Sequence, residues 1–557
     1  MKNLLIIILT IWVAGLYSQE YMLGVDLSYV NEMEDCDAVY FENGVAKDAY
    51  TIFSDQEAQV VRLRLWHTPD STNYSNYNDV KKSIARAKNA NMKVLLDFHY
   101  SDTWADPGKQ TRPQAWSGIE DLDLLADSVY NYTFKVLSDL NTENLLPEFV
   151  QIGNETNGNI MVEDEEPLYP VDWQRNIKLF KAGIQATKDV STSIQTVIHI
   201  ADPSTALWWF TTATEENFSN YDIIGLSYYT QWHDINIEDV GQVIHSLNNE
   251  FNKPVWIVET GYPWTLENND EADNILGVTS ILPGYSNPPT IKSQKNFLIN
   301  MTYEVISNGG MGVIYWEPAW VSTLCSTQWG QGSHYENATF FDFDNQLHEG
   351  INFLKYDYSQ PPSTTSQVSF YVDMTGIEIT EAVYVTGDFT GTAWQFMPME
   401  NLGDNLYRYS TVLQKGSEGA YIFTTKADWN MELYHEHVPV ECAPMWGTHR
   451  SYIIEDDIET YAYYWSSCDN LPLSVNNQSA KKSFSVYPNP FQDKLNITIQ
   501  NNEASFIKIF SIDGSIKINY DISTESIDGS LWDQGMYIIR LLNKDNQVID
   551  SVKVLKY

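Results

Sequence analysis

Eight short apolar runs recur between residues 22 and 317: MLGVDLSYV, AQVVRLRLW, MKVLLDFHY, PEFVQIGNE, SIQTVIHIA, YDIIGLSYY, KPVWIVET and GMGVIYWE. Stretches of helical periodicity, such as YNDVKKSIARAKNAN and WQRNIKLFKAGIQATKDV, separate most of them. Near-continuous apolar runs mark strands buried on both faces, and strands alternating with helices lie parallel. The pattern predicts an α/β fold, a (β/α)8 TIM barrel spanning residues 20–358. A doubly wound open sheet is the competing arrangement, but no glycine-rich phosphate turn follows the first run.

In such a barrel the polar residues at the C-terminal strand ends build the site. The fourth run continues as QIGNETNG and places Glu155 just past its end, while Glu259 closes the seventh run in VWIVETGYPW. Strands four and seven lie on opposing sides of an eight-stranded barrel, so the two carboxyls can face each other across its mouth. That pairing suits cleavage of a glycosidic bond, one carboxyl protonating the leaving oxygen and the other attacking the anomeric carbon. Asn154 is placed to hydrogen-bond the 2-hydroxyl of the sugar being cleaved. Either glutamate alone could simply cap a helix N-terminus; two of them at these two strand ends favour the catalytic reading.

Composition narrows the ligand. A formal charge of −41 excludes a nucleic-acid partner, which requires a basic surface, and disfavours a polyanionic substrate. The 18 Trp and 35 Tyr exceed the needs of packing, and such rings make good platforms for sugars. Lys2 followed by an apolar stretch over residues 4–13 and then small residues reads as a signal peptide, residues 1–18, too short to span a bilayer. An exported chain permits disulfides among its four cysteines.

LLDFHYSDTWADPGKQ (95–110), GNE (153–155) and ETGYPW (259–264) resemble the signatures of family 53 glycoside hydrolases, the endo-β-1,4-galactanases. The resemblance covers the barrel region and implies retaining endo-hydrolysis of β-1,4-galactan, the side chain of pectic type I arabinogalactan. By the same pattern Glu155 matches the acid/base and Glu259 the nucleophile. Other cleavers of neutral β-glycans, mannan or glucan, share the wider pattern, and a catalytically inactive surface glycan-binding protein is a third reading.

Further positions within the match carry physical expectations. Arg62, Arg64 and Trp66 alternate on one face of the second strand, and Arg64, nearer the strand end, is expected to keep the nucleophile ionised. Asp97 and His99 alternate likewise on the third strand as substrate contacts, with His99 a partner for Glu155 or else a satisfied core histidine. Tyr228 is expected to hold Glu259 as an anion. Trp316 would floor the central subsite, and Trp104 and Trp320 would extend the platform. The chemistry requires no cofactor or metal. The acidic stretch ENNDEADN (267–274) leaves room for a structural calcium, although its spacing matches no recognised calcium loop. Cys36 lies after strand one and Cys325 after strand eight, neighbours once the barrel closes, so the two are expected to pair.

SQPPSTTSQ (359–367) reads as a linker, after which short strands replace the alternation. Residues 368–470 are expected to form a β-sandwich with a Cys442–Cys468 disulfide; VYVTGDFTGTAW resembles the opening of Ig-like glycan-binding modules. Trp394, Trp429, Trp446 and Trp465 are candidates for a binding face or for core packing. Residues 484–557, with YPNP and a Gly-Met-Tyr strand, look like the C-terminal sorting domain of the type IX secretion system, a second small all-β unit. The expected partners are β-1,4-galactan and the type IX secretion machinery, and a monomer secreted or held at the cell surface is expected.

Overall fold

The computed structural model describes residues 21–472, apart from six single positions (165, 328, 380, 392, 393 and 445), and most of seven strands between 484 and 556. The predicted signal peptide lies outside the described residues.

Among the described residues eight parallel strands form the barrel: β1 Gly24–Asp26, β2 Val60–Leu65, β3 Lys93–Phe98, β4 Phe149–Ile152, β5 Gln195–Ile200, β6 Ile223–Tyr228, β7 Val255–Thr260 and β8 Ile314–Tyr315. They pair in chain order, and β8 pairs with β1 through Gly24 and Ile314. A parallel bridge between Ile257 and Val313 closes the ring. Closure demands a glycine at position 312, where φ is +137° and a Cβ would lie 2.0 Å from the Met22 carbonyl oxygen.

Helices α1 Val30–Asp35, α2 Ala49–Asp55, α3 Tyr77–Asn89, α4 Leu122–Thr142, α5 Trp173–Val190, α6 Pro203–Glu215, α7 Ile237–Phe251 and α8 Ile291–Ser307 surround the strands. Asn or Asp starts most of them: Asn76, Asp121, Asp172, Asp202 and Asn236 each accept a bond from a backbone N–H of the first turn. Helix α3 shows why the periodicity works. Val80, Ser83, Ile84 and Ala87 form its buried stripe, and the remaining face is polar.

The Cys36–Cys325 disulfide joins the loops after β1 and β8. The sandwich follows, with strands β9 Thr365–Asp373, β10 Tyr384–Gly387, β11 Met397–Pro398, β12 Glu400–Gly403, β13 Leu406–Gln414, β14 Glu418–Thr424, β15 Arg450–Ile453 and β16 Ile458–Tyr464. They make two sheets, ordered β12-β13-β9-β16 and β11-β10-β14-β15, around Phe370, Val385, Tyr421 and Phe423. Strand β9 begins at Thr365, inside the segment expected to be linker, because Thr365 and Ser366 pair with Gln414 and Leu413. Cys442 and Cys468 are bonded. Lys295 and Lys292 of α8 reach Asp456 of the sandwich at 2.7 and 2.9 Å, and Ser286 donates to Glu455 at 2.6 Å. The C-terminal strands form a three-stranded and a four-stranded sheet over a core that includes Leu495, Ile507 and Ile539.

Candidate active site

The strand-to-loop corners at the C-terminal end of the barrel are backbone-strained. Tyr100, Glu155, Asp202 and Glu317 follow β3, β4, β5 and β8 with φ of 49°, 47°, 56° and 46°, a region that costs a non-glycine residue about 1–3 kcal/mol. At the β4 corner Gly153 (φ 87°) and Glu155 turn the chain back. Asn154 thereby points down into the barrel while Glu155 enters a cleft of about 510 Å³ that Glu259 also lines.

Below this cleft the inward positions of β1 to β7 hold a buried polar network centred on Arg62. Its guanidinium binds Asp26 and Asp97 at 2.8 Å each and Glu259 at 2.7 Å, and donates to Asn154 Oδ1 at 2.7 Å. One buried cation thus balances three carboxylates. This corrects the expectation for Arg64. Arg62 and Arg64 share a face, but the stagger of the barrel brings Glu259 level with Arg62. Arg64 instead pairs with Glu317 at 3.2 Å and lies 4.1 Å over the Trp104 ring.

Asp97 is also corrected. It is fully buried, its Oδ1 accepting from Gln151 at 2.7 Å and its Oδ2 from Arg62, with His99 Nε2 at 3.0 Å. Burial alone would raise its pKa; the charge of Arg62 overcomes this and holds it below the usual value. His99 lines the cleft but does not bond Glu155, because its other nitrogen accepts from Trp66 Nε1 and the Ala105 N–H, both at 3.2 Å.

The partner of Glu155 is Ser227, whose Oγ donates to Oε1 at 2.6 Å. Ser227 Oγ also lies 2.8 Å from His199 Nε2. His199 Nδ1 lies 2.9 Å from Asn154 Oδ1 and 3.0 Å from Gln151 Nε2, with the Glu155 N–H at 3.3 Å. Burial holds His199 well below its ordinary pKa, so it is neutral.

Tyr228 does not touch Glu259. Ser227 faces inward, so by the two-residue pleat Tyr228 faces outward and bonds the Ile235 carbonyl at 2.8 Å. Tyr229 is the residue that reaches Glu259 Oε2, at 3.3 Å. The sequence signal was the polar Ser227 inside an apolar run.

Burial, and after it the charge of Glu259, pushes Glu155 up to about 8. Burial also raises Glu259, to about 7, against the opposing charge of Arg62. With the guanidinium at hand Glu259 is the carboxyl that ionises first, and its charge then keeps the proton on Glu155.

Trp104 and Trp316 line the cleft with rings 6.1 Å apart. Trp320 also borders the cleft, but it is buried and stacks on Tyr29 at 4.0 Å, so it backs Trp316 and does not extend the platform. Two cleft residues were missed because they sit in loops without periodicity. Trp329, 52% exposed, lies beside Trp104, and Trp232, 56% exposed, packs on Tyr229. Among the described residues no group of three His, Cys, Asp or Glu side chains converges as metal ligands. The acidic loop is tied by hydrogen bonds from Asn269 N–H and Asn274 to Glu336, each 3.1 Å.

Comparison with known proteins agrees with this geometry. Residues 22–354 match the glycosyl hydrolase family 53 pattern, and residues 485–555 match the secretion system C-terminal sorting domain. The arabinogalactan endo-beta-1,4-galactanase of Cellvibrio japonicus (strain Ueda107) is 49% identical over 345 residues, 61% of this chain and 91% of that protein. The endo-beta-1,4-galactanase of Bacillus subtilis (strain 168) is 32% identical over 381 residues, 61% of this chain and 86% of that protein. Among solved structures the Ignisphaera aggregans GH53 catalytic domain superposes with a TM-score of 0.55 at 30% identity, covering 62% of this chain and 97% of that one. A family match across the whole barrel, over a mouth that presents two buried carboxyls to one cleft, leads to one assignment: the chain is a glycoside hydrolase and belongs to glycosyl hydrolase family 53.

Proposed function

We propose that the barrel is a retaining endo-β-1,4-galactanase acting on the galactan side chains of type I arabinogalactan, with Glu259 as nucleophile and Glu155 as acid/base. The observation that carries the role assignment is the asymmetry around the two carboxyls. Arg62 binds Glu259 at 2.7 Å and favours its anion, while Glu155 has only a serine hydroxyl at 2.6 Å and stays protonated.

In the first step Glu259 attacks the anomeric carbon as Glu155 gives its proton to the departing glycosidic oxygen, leaving a glycosyl ester on Glu259. In the second, the Glu155 carboxylate takes a proton from water. The water oxygen attacks the same carbon, and the Glu259 carboxylate departs. Asn154 lines the same cleft as the two carboxyls. One of its amide hydrogens is bound to the Ala105 carbonyl at 2.8 Å, and the other is assigned to the sugar 2-hydroxyl. Trp104, Trp316 and Trp329 on one flank and Trp232 on another extend aromatic surface beyond the reacting pair, which suits attack within a chain. The galactanase names of the relatives support galactan as the substrate. The sorting domain supports delivery outside the cell, to the medium or to the cell surface, by the type IX route.

The test is reducing-sugar release from galactan, mannan, xylan and glucan, with NMR of the first product. Galactan should be cleaved with the β-anomer appearing first, and Glu155→Gln and Glu259→Gln should each lower kcat by several orders of magnitude. Cleavage of mannan or glucan instead would displace the substrate, and an α-anomer would exclude the covalent step.

A further inference from the structure

The sandwich exposes large aromatic surface that its own core does not use. Trp394, in the β10–β11 connection, stands between Trp429 and Trp446 of the long β14–β15 connection, with ring centroids at 6.3 and 5.8 Å. Trp429 is 50% and Trp446 68% exposed. Their planes are inclined to that of Trp394 by 48° and 37°, so the three rings form an arc and do not stack on one another. Trp465, the fourth candidate, packs against the sandwich core and takes no part.

Each ring is held from behind. His449 stands edge-on to Trp394 and to Trp446, both at 5.2 Å, and is fixed by a 2.7 Å bond between its Nδ1 and Thr448 Oγ1. Phe396 lies 4.7 Å from Trp429, and His435, whose Nε2 donates to the Asp428 carbonyl at 2.8 Å, lies 5.6 Å away. Trp394 Nε1 donates to Asp388 Oδ1 at 2.9 Å. The Cys442–Cys468 disulfide fastens the connection just before Trp446 to the segment after β16. Packed supports, with His435 and His449 buried, under exposed indole faces are the arrangement of a preorganised binding surface.

We infer that Trp394, Trp429 and Trp446 form a second carbohydrate site that holds a β-1,4-galactan chain apart from the cleft. Three features select this occupant. The flat indoles match the C–H faces of pyranose rings. The acidic chain, at −41, repels polyanions, and the carboxylate at the platform, Asp388, is taken up by Trp394 and by the Ala420 N–H at 2.7 Å. An uncharged ligand fits that balance. Finally, inclined facets suit a polymer that turns from one sugar to the next, and the axial 4-hydroxyl of galactose bends a β-1,4 chain in this way. The choice of galactan rests on the substrate reading above; the site itself does not.

The function of such a site is retention. Tethering the barrel to an insoluble polymer raises the local concentration of scissile bonds without changing the chemistry. The experiment uses the full chain carrying Glu259→Gln, with or without Trp429→Ala and Trp446→Ala, in depletion assays on insoluble galactan, mannan and cellulose. Galactan binding should weaken at least tenfold when the two tryptophans are removed. In the active background the same pair should leave kcat/KM on soluble galactan unchanged and slow release from insoluble galactan. A Trp429→Phe, Trp446→Phe variant guards against misfolding and should keep part of the binding. Tryptophan-dependent binding to mannan or cellulose in place of galactan would keep the site and overturn the galactan assignment. Equal galactan binding by the alanine and parent chains, or none by the parent, would overturn the site.

Discussion

Two layers inside the barrel lie only two residues apart along each strand, one full period of the pleat. Val60, Leu95, Phe149 and Val197 meet near the N-terminal end in a dry cluster completed by Met22, Ile223, Trp256 and Ile314. Two residues further along the same four strands stand Arg62, Asp97, Gln151 and His199, all buried and all polar. A strand rises about 3.3 Å per residue, so about 6–7 Å separates a floor that stabilises the fold from a mouth that loads it with desolvated charge. The floor needs only volume and apolarity. The mouth needs every partner, because a buried ion left unpaired is costly. Stability and chemistry are thus divided by height along the barrel.

The sharpest way to break this comparison is to remove the cation from the mouth. Arg62→Met strands Asp26, Asp97 and Glu259 together, and it should destabilise the barrel by about 3–5 kcal/mol and abolish hydrolysis. Denaturant unfolding and kcat measured on the folded fraction check both halves. Phe149→Ala in the floor, which removes a ring packed 5.2 Å from Trp256, should also cost about 3–5 kcal/mol. Its kcat below the melting transition should stay near that of the parent. A floor substitution that lost kcat while folded would mean the layers are coupled.

Smaller effects sharpen the picture within the mouth. The Ser227 bond lowers the pKa of Glu155, so Ser227→Ala should move the alkaline limb of the kcat/KM profile to higher pH while reducing kcat about tenfold. The two carboxyls also tie stability to pH. Their folded values, about 8 and 7, lie above the ordinary 4.5, so the stability they contribute is complete below pH 4.5 and is lost as pH rises through 7 to 8. Glu155→Gln should therefore gain Tm over the parent at pH 8 and little at pH 4.5. The smallest change is expected from truncation. Both layers lie within residues 22–354, and the contacts to the sandwich described above, ion pairs of α8 and the hydrogen bond to Glu455, touch neither layer. A chain of residues 20–358 should hydrolyse soluble galactan at close to the full rate.

The floor was legible in the sequence because apolar runs announce buried strands, and the two glutamates were legible because strand ends carry the site. The network between them was not. Arg62 and Arg64 are equivalent in a linear reading, and only the stagger of the barrel decides which meets Glu259. Tyr228 and Tyr229 differ by one pleat step, which the inward Ser227 could have fixed. His199, the polar residue near the C-terminal end of SIQTVIHIA, supports the same inference. The two cleft tryptophans missed, Trp232 and Trp329, sit in irregular loops whose approach to the mouth depends on the closed barrel.

The disulfide between the loops after β1 and β8 has a consequence for the order of events during synthesis. Cys36 leaves the ribosome 289 residues before Cys325, and no other cysteine lies between them. Until the last barrel strand and the loop after it have emerged, the first thiol has no partner within its own barrel. The crosslink can form only once both ends of the barrel have been delivered, and it then removes a loop entropy equivalent to about 6 kcal/mol from the unfolded chain. An oxidised Cys36–Cys325 pair is therefore a chemical record that both ends of the barrel have been delivered.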